Sequence, residues 1–185
     1  IYLNDTLTTD ENSQAEIGFT DNSLMTFRPG TKLFINEYEF QPKAKKSVGK
    51  YILNLLEGGF RTITGLIAKQ NPNNYAVNTP VATIGVRGTD YQAYYHNGHL
   101  AVGWYKGKPC VRPRGKETKE ICLSKDLPFV EVPDANSAAV PLTERPDYIG
   151  EDLTIDVVTI DGFGNGGVQV RTSYRSGGNS FCITN

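Results

Sequence analysis

His96 and His99 flank an Asn97-Gly98 pair, so a tight turn would bring two imidazoles close enough to share a metal ion or a proton. Two nitrogen ligands alone make a poor metal site, and no cysteine or carboxylate cluster at ligand spacing supplies the others. A surface pair at a hairpin tip is the stronger reading, and no metal is expected there. Cys182 follows Gly177-Gly178-Asn179-Ser180-Phe181, a glycine-flanked setting for a thiol nucleophile, but the histidine context of a cysteine-dependent transpeptidase is missing. It reads as structural or free. Asp161-Gly162-Phe163-Gly164-Asn165-Gly166-Gly167 has the texture of a calcium-binding repeat, yet it occurs once, and such sites need tandem copies to complete their coordination. No catalytic residue is assigned, no cofactor is expected, and the chain reads as non-enzymatic.

The other cluster that could meet a ligand is basic. Lys106, Lys108, Arg112, Arg114, Lys116 and Lys119 lie beside Trp104 and Tyr105, a positive and aromatic patch for an acidic partner, a polysaccharide or nucleic acid. Trp104, Tyr105, Arg112 and Arg114 are its binding candidates. A solvated hairpin carrying charge for solubility is the stronger reading, because grooves for single strands interleave aromatics along their whole path. The 185 residues carry 19 basic and 20 acidic side chains, a net charge of -1 that gives no overall field to gather nucleic acid or anionic lipid. No nucleic-acid partner is expected. No apolar run approaches the roughly 20 residues that span a bilayer, so no transmembrane segment is expected in this chain. Ile1-Tyr2-Leu3 opens without a charged leader or cleavage site and reads as a mature or trimmed start.

Positioning such residues falls to strands. Ala15, Ile17 and Phe19 alternate with Gln14, Glu16 and Gly18, and Leu33 and Ile35 alternate with Lys32 and Phe34, the period of half-buried strands. Turn signals recur at 20–23, Pro29-Gly30, 57–59, 71–74 and Asn97-Gly98. Asn97-Gly98 predicts a type I′ hairpin that places Leu100, Val102 and Trp104 on one face. Lys43 to Lys50 reads as a solvated loop. Cys110 and Cys122 flank a segment able to fold back as a hairpin, and in an oxidising compartment a bridge between them would staple a poorly cored loop. Cys182 is then left over, with a pairing to either of the others still open. The fold class expected is all-β, a solenoid-like or sandwich-like stack of short strands. Residues 1–105 form the main unit; 106–185 form a loop-rich extension of a basic hairpin, an irregular surface loop and two or three added strands, packed on the first unit.

The densest segment is Thr79-Pro80-Val81-Ala82-Thr83-Ile84-Gly85-Val86-Arg87-Gly88-Thr89-Asp90-Tyr91. Its β-branched residues are strand material, Gly85 and Gly88 suggest a bulge or a close backbone approach, and Arg87 suggests a structural staple tying loop carbonyls or a carboxylate, with a ligand-binding role as the weaker alternative. It resembles the FecR-domain signature T-P-x-A-x-x-G-V-R-G-T-x-[FY], which makes Thr79, Pro80, Gly85, Arg87, Gly88 and Thr89 the structural motif. Upstream, Asp5 to Thr9 with Ser13 to Phe19, the Phe19-Thr20-Asp21-Asn22-Ser23 run, Pro29 to Ile35, and Leu53 to Arg61 resemble the earlier FecR segments in matching order. Asp10 and Asn22 stand where glycine is common, and both tolerate turn conformations.

The resemblance implies a bacterial periplasmic, secreted or surface location, a protein partner in the envelope, and a part in envelope signalling. Family members of this kind relay an outer-membrane transporter's occupancy to a cytoplasmic σ factor; this chain shows neither anti-σ helices nor a membrane segment. The alternative expectation is a glycan or peptidoglycan binding module that stacks sugars on Trp104 and neighbouring tyrosines.

Overall fold

The computed structural model describes residues 3–41, 49–115, 119–155, 169–171 and 181–184. Apart from the helix α1 (Leu66–Gln70) and two 3-10 turns, its regular structure is strand. The strands are β1 (Thr6–Thr9), β2 (Ala15–Gly18), β3 (Leu24–Phe27), β4 (Lys32–Phe40) and β5 (Gly49–Ile63). After α1 come β6 (Tyr75–Asn78), β7 (Ala82–Gly85), β8 (Asp90–His96), β9 (His99–Lys106) and β10 (Cys110–Pro113). The last are β11 (Ile121–Cys122), β12 (Phe129–Val132), β13 (Val140–Leu142), β14 (Gln169–Arg171) and β15 (Phe181–Thr184).

Strand β5 organises all of them. Its first part pairs with β4 and β6, and its second part pairs with β3 and β8. Two leaves therefore share it: β15-β1-β4-β5-β6-β7-β10-β11 and β14-β2-β3-β5-β8-β9-β12-β13. Folded over at that strand, the leaves enclose one core in a sandwich-like, nearly closed barrel. Residues 57–59, expected as a turn, are a corner inside a continuous strand. Gly58 holds φ 75° with a would-be Cβ 2.6 Å from the Thr31 Cα, so glycine bends the strand without ending it. The Thr31 hydroxyl clamps the corner, accepting from the Gly59 N–H at 3.0 Å and reaching the Gly59 carbonyl at 2.9 Å.

Alternation sorts side chains inward and outward. In the first leaf Ile35, Leu53, Val77, Ile84 and Val111 lie side by side across five strands, all buried. In the second, Ala15, Phe27, Phe60, Ala93, Val102 and Val130 make the matching row. Between the leaves Tyr51 stacks on Tyr75 with centroids 4.7 Å apart, and the Tyr75 and Tyr91 hydroxyls bond at 3.0 Å. Burial pushes all three phenols well above their ordinary range.

Turn chemistry follows the sequence closely. Asn97 (φ 49°) and Gly98 (φ 84°) form the hairpin between β8 and β9, with Leu100 and Val102 buried and Trp104 partly buried. Asn22 takes φ 64° in the turn after β2. The buried Asp21 beside it accepts the backbone N–H groups of Ser23 at 3.0 Å and Ile67 at 3.3 Å, which ties that turn to α1. Burial raises its pKa even though these bonds pull it down. The helix itself was not expected from the sequence. The Lys43 to Lys50 loop lies mostly outside the described residues, and its last two residues, Gly49 and Lys50, already belong to β5. Asp161 to Gly167 lies outside them as well, and the backbone of Cys182 pairs with Thr8 at the β15 edge.

Candidate functional site

The outward rows of the two leaves differ. On the second leaf Glu16, Thr26, Arg61, Gln92, Gly103 and Phe129 lie in register, and Arg28 follows at the end of β3. These residues point away from the core, yet Gln92 is 2% and Arg28 9% exposed. The cover is the segment 143–155 after β13. Arg28 donates to the Glu151 carbonyl at 2.7 Å and Arg61 to the Leu153 carbonyl at 2.8 Å. Arg61 also forms a fork on Asp90, at 3.0 and 2.8 Å, and its guanidinium sits 4.0 Å over the Tyr105 ring. Asp152 accepts from Tyr105 and Arg145, and Gln92 Oε1 accepts from Arg28 at 3.1 Å and Arg145 at 3.4 Å.

The electrostatics follow from this crowding. Burial and the facing Arg145 lower the Arg28 pKa, while the Asp90 fork raises that of Arg61. Tyr105 is pushed up to about 12 by burial and by its bond to Asp152. For Asp152, partial burial raises the pKa, but the bonds from Tyr105 and Arg145 outweigh it and hold the carboxyl below its ordinary 3.8. Side chains that point outward from a strand normally meet water. Here they hold a strap.

The outward row of the first leaf carries no such cover among the described residues. Thr6, Phe34, Asn54, Asn78, Thr83 and Arg112 run across six strands in register, all half-buried or exposed, with Leu56 40% exposed nearby. Toward its β11 side lies a groove of about 590 Å³ floored by Ala76, Thr83 and Gly85 and rimmed by Arg87, Lys108 and Arg112. The disulfide between Cys110 and Cys122, directly opposed on β10 and β11, forms one wall.

The signature segment lands here in two ways. Thr79 is a turn lock: its hydroxyl contacts the Ala82 carbonyl and accepts the N–H groups of Val81 and Ala82, across the exposed Pro80. Gly88 takes φ 62° and Thr89 is buried, its N–H given to the Thr64 hydroxyl at 2.7 Å. Arg87, expected as the staple, is exposed and makes no hydrogen bond or ion pair among the described residues. The reason is position: it follows the end of β7, in the bend between Val86 and Gly88, and points into the groove. Arg114 staples instead, donating to the Thr79 carbonyl at 2.8 Å. Gly85 marks neither bulge nor close approach, since a Cβ there would meet nothing within 4 Å.

The other sequence candidates separate accordingly. Trp104 gives its N–H to the Gly107 carbonyl at 2.8 Å and packs on the core, and Tyr105 belongs to the strap network. Arg112 stays exposed, paired with Glu120 at 2.9 Å. His96 pairs with Glu57, and His99 lies 3.3 Å from Glu131. The imidazoles thus go to separate carboxylates. Among the described residues, Cys110, Glu120 and Cys122 are the group close enough to share a metal, and the disulfide uses both sulfurs. Arg28, Arg61, Gln92, Arg145 and Asp152 were missed by sequence reasoning. A lone Arg or Gln between buried strand residues, as at Phe60-Arg61-Thr62 and Tyr91-Gln92-Ala93, is the signal that was available.

The FecR protein family profile matches residues 5–108, from β1 through the start of the groove's rim. The chain belongs to the FecR family. No curated protein matches it. Two crystal structures of a candidate anti-sigma factor from Parabacteroides distasonis share the fold, each with a TM-score of 0.57 and 16% identity, over 78% of this chain and 62% of theirs. This FecR chain therefore spans less than two thirds of those structures' length. In this FecR domain both the signature turn and the open groove sit on the first leaf.

Proposed function

We propose that this FecR domain is a non-enzymatic signalling module of the bacterial envelope that recognises another envelope protein through the outer face of its first leaf. The observation that carries this reading is the contrast between the two faces: one is closed by the chain's own strap, the other presents, among the described residues, an uncovered row of mixed polar and apolar side chains. Family membership and the shared fold with a candidate anti-sigma factor support the signalling role. The disulfide supports an oxidising location, periplasmic or surface.

Face recognition is favoured over edge pairing at the β11 and β13 edges. β13 carries Pro141 at its middle, which cannot donate to an added strand, and β11 is two residues long. Protein is favoured over glycan because the aromatic residues that a sugar would stack on, Trp104 and Tyr105, are engaged within the fold.

The test is genetic. Deleting the gene in its host should shift the transcripts of one σ-factor-controlled set, and the wild-type gene should restore them. Asn54→Arg, which places charge in the middle of the bare row, should fail to restore them, whereas Tyr148→Ala on the strap should succeed. An unchanged transcript profile on deletion, or full restoration by Asn54→Arg, contradicts the reading.

A further inference from the structure

We infer that the groove over β7 is the seat of an extended, acidic segment of the partner protein, with Arg87 and Lys108 as the charges that recognise it. This rests on the proposed protein-recognition role of the first leaf and names the chemistry of its partner. Arg87 and Lys108 are exposed on the groove's rim, and neither side chain is engaged in an ion pair or hydrogen bond among the described residues. A third cation, Arg112, shares the rim but is held by Glu120. Two uncommitted charges of one sign on one concavity, in a chain of net charge -1, are a local feature and not part of a general positive field.

Gly85 supplies the second observation. It lies within β7 with ordinary backbone angles, opposite Cys110, and a Cβ there would touch nothing. The fold uses this glycine for neither a turn nor packing. What it does is leave the groove floor open, so that a main chain can lie against the sheet.

Glu120 decides between anionic partners. A uniform polyanion such as nucleic acid or a sulfated glycan would also bring charge to the Arg112–Glu120 pair, where no free cation answers it. A polypeptide strand, whose same-face side chains recur about every 7 Å, can put carboxylates on Arg87 and Lys108 and a neutral residue at Glu120. Among the described residues the groove also lacks an exposed aromatic platform for bases, since the one aromatic ring that lines it, Tyr75, is 3% exposed.

The experiment uses the full chain and a short fluorescein-labelled threonine peptide carrying two glutamates two residues apart, so that they share a face and the next same-face position is neutral, read by anisotropy at two salt concentrations. The expected result is salt-sensitive binding that the lysine-threonine counterpart does not show. Arg87→Ala/Lys108→Ala should weaken it about tenfold, while Lys32→Ala/Lys125→Ala, with the same loss of charge off the groove, should not. Gly85→Ile, which keeps every charge and fills the floor, should also abolish it. No binding, equal loss in both double variants, indifference to Gly85→Ile, or tighter binding of heparin than of the peptide would each overturn the inference. If the peptide fails but Asn54→Arg still abolishes transcript control, the role of the first leaf stands and only the acidic segment is wrong.

Discussion

The outward sides of the two leaves start from the same strand alternation and reach opposite ends. On the second leaf, Arg61 and Gln92 spend their donors and acceptors on a segment of the same chain, and the surface closes. On the first, Asn54, Asn78 and Thr83 bond among neighbouring strands or face water, and two of the rim cations, Arg87 and Lys108, stay unspent among the described residues. Outward polar residues therefore have two uses in this fold. Burying them fixes a neighbouring segment; leaving them open keeps a surface available.

The comparison breaks first at the strand both leaves share. Gly58→Ala must hold a side chain at φ 75° against the Thr31 backbone, which costs about 2–5 kcal/mol from left-handed strain and overpacking. Denaturant unfolding should show that loss with one cooperative transition, because both leaves depend on the corner. Arg61→Ala comes next. It leaves Asp90 without its fork and the Leu153 carbonyl without a donor, for a loss of about 2–3 kcal/mol. Arg112→Ala on the first leaf, breaking an exposed pair, should cost less than about 1 kcal/mol by the same measurement.

A smaller effect sharpens the contrast through pH. Asp152 has a folded pKa below 3.8, so its contribution to holding the strap is complete above pH 3.8 and is lost as pH falls through the lower folded value. Hydrogen exchange of residues 143–153 should accelerate in that acid range while β6 and β7 keep their protection. Asp152→Asn should give the faster exchange already at neutral pH. A last change of similarly small size has the opposite sign. The Tyr51 hydroxyl is fully buried without a hydrogen-bond partner among the described residues, so Tyr51→Phe should stabilise the protein by about 1 kcal/mol in thermal unfolding.

Much of the scaffold was legible in the sequence, because strand period and turn chemistry are local. Ala15, Ile17 and Phe19 announced their inward side, and Asn97-Gly98 announced its turn. The corner at Gly58 was not legible as a corner: a glycine pair reads the same whether a strand ends or bends, and only Thr31, far away in sequence, distinguishes the two. The site was half legible. The signature segment and the basic cluster both stand out in the sequence, but that Arg114 and not Arg87 is the staple does not, since which arginine faces the Thr79 carbonyl depends on how β10 returns beside β7. The strap was illegible for the same reason. Arg61 and Leu153 are 92 residues apart, and nothing local couples them.

Photo-crosslinking in the host envelope separates the two faces, with the reactive residue placed either at Thr83 on the first leaf or at Tyr148 on the strap. Thr83 should capture one defined envelope protein and Tyr148 none. Capture of that protein from Tyr148 with none from Thr83 would contradict it.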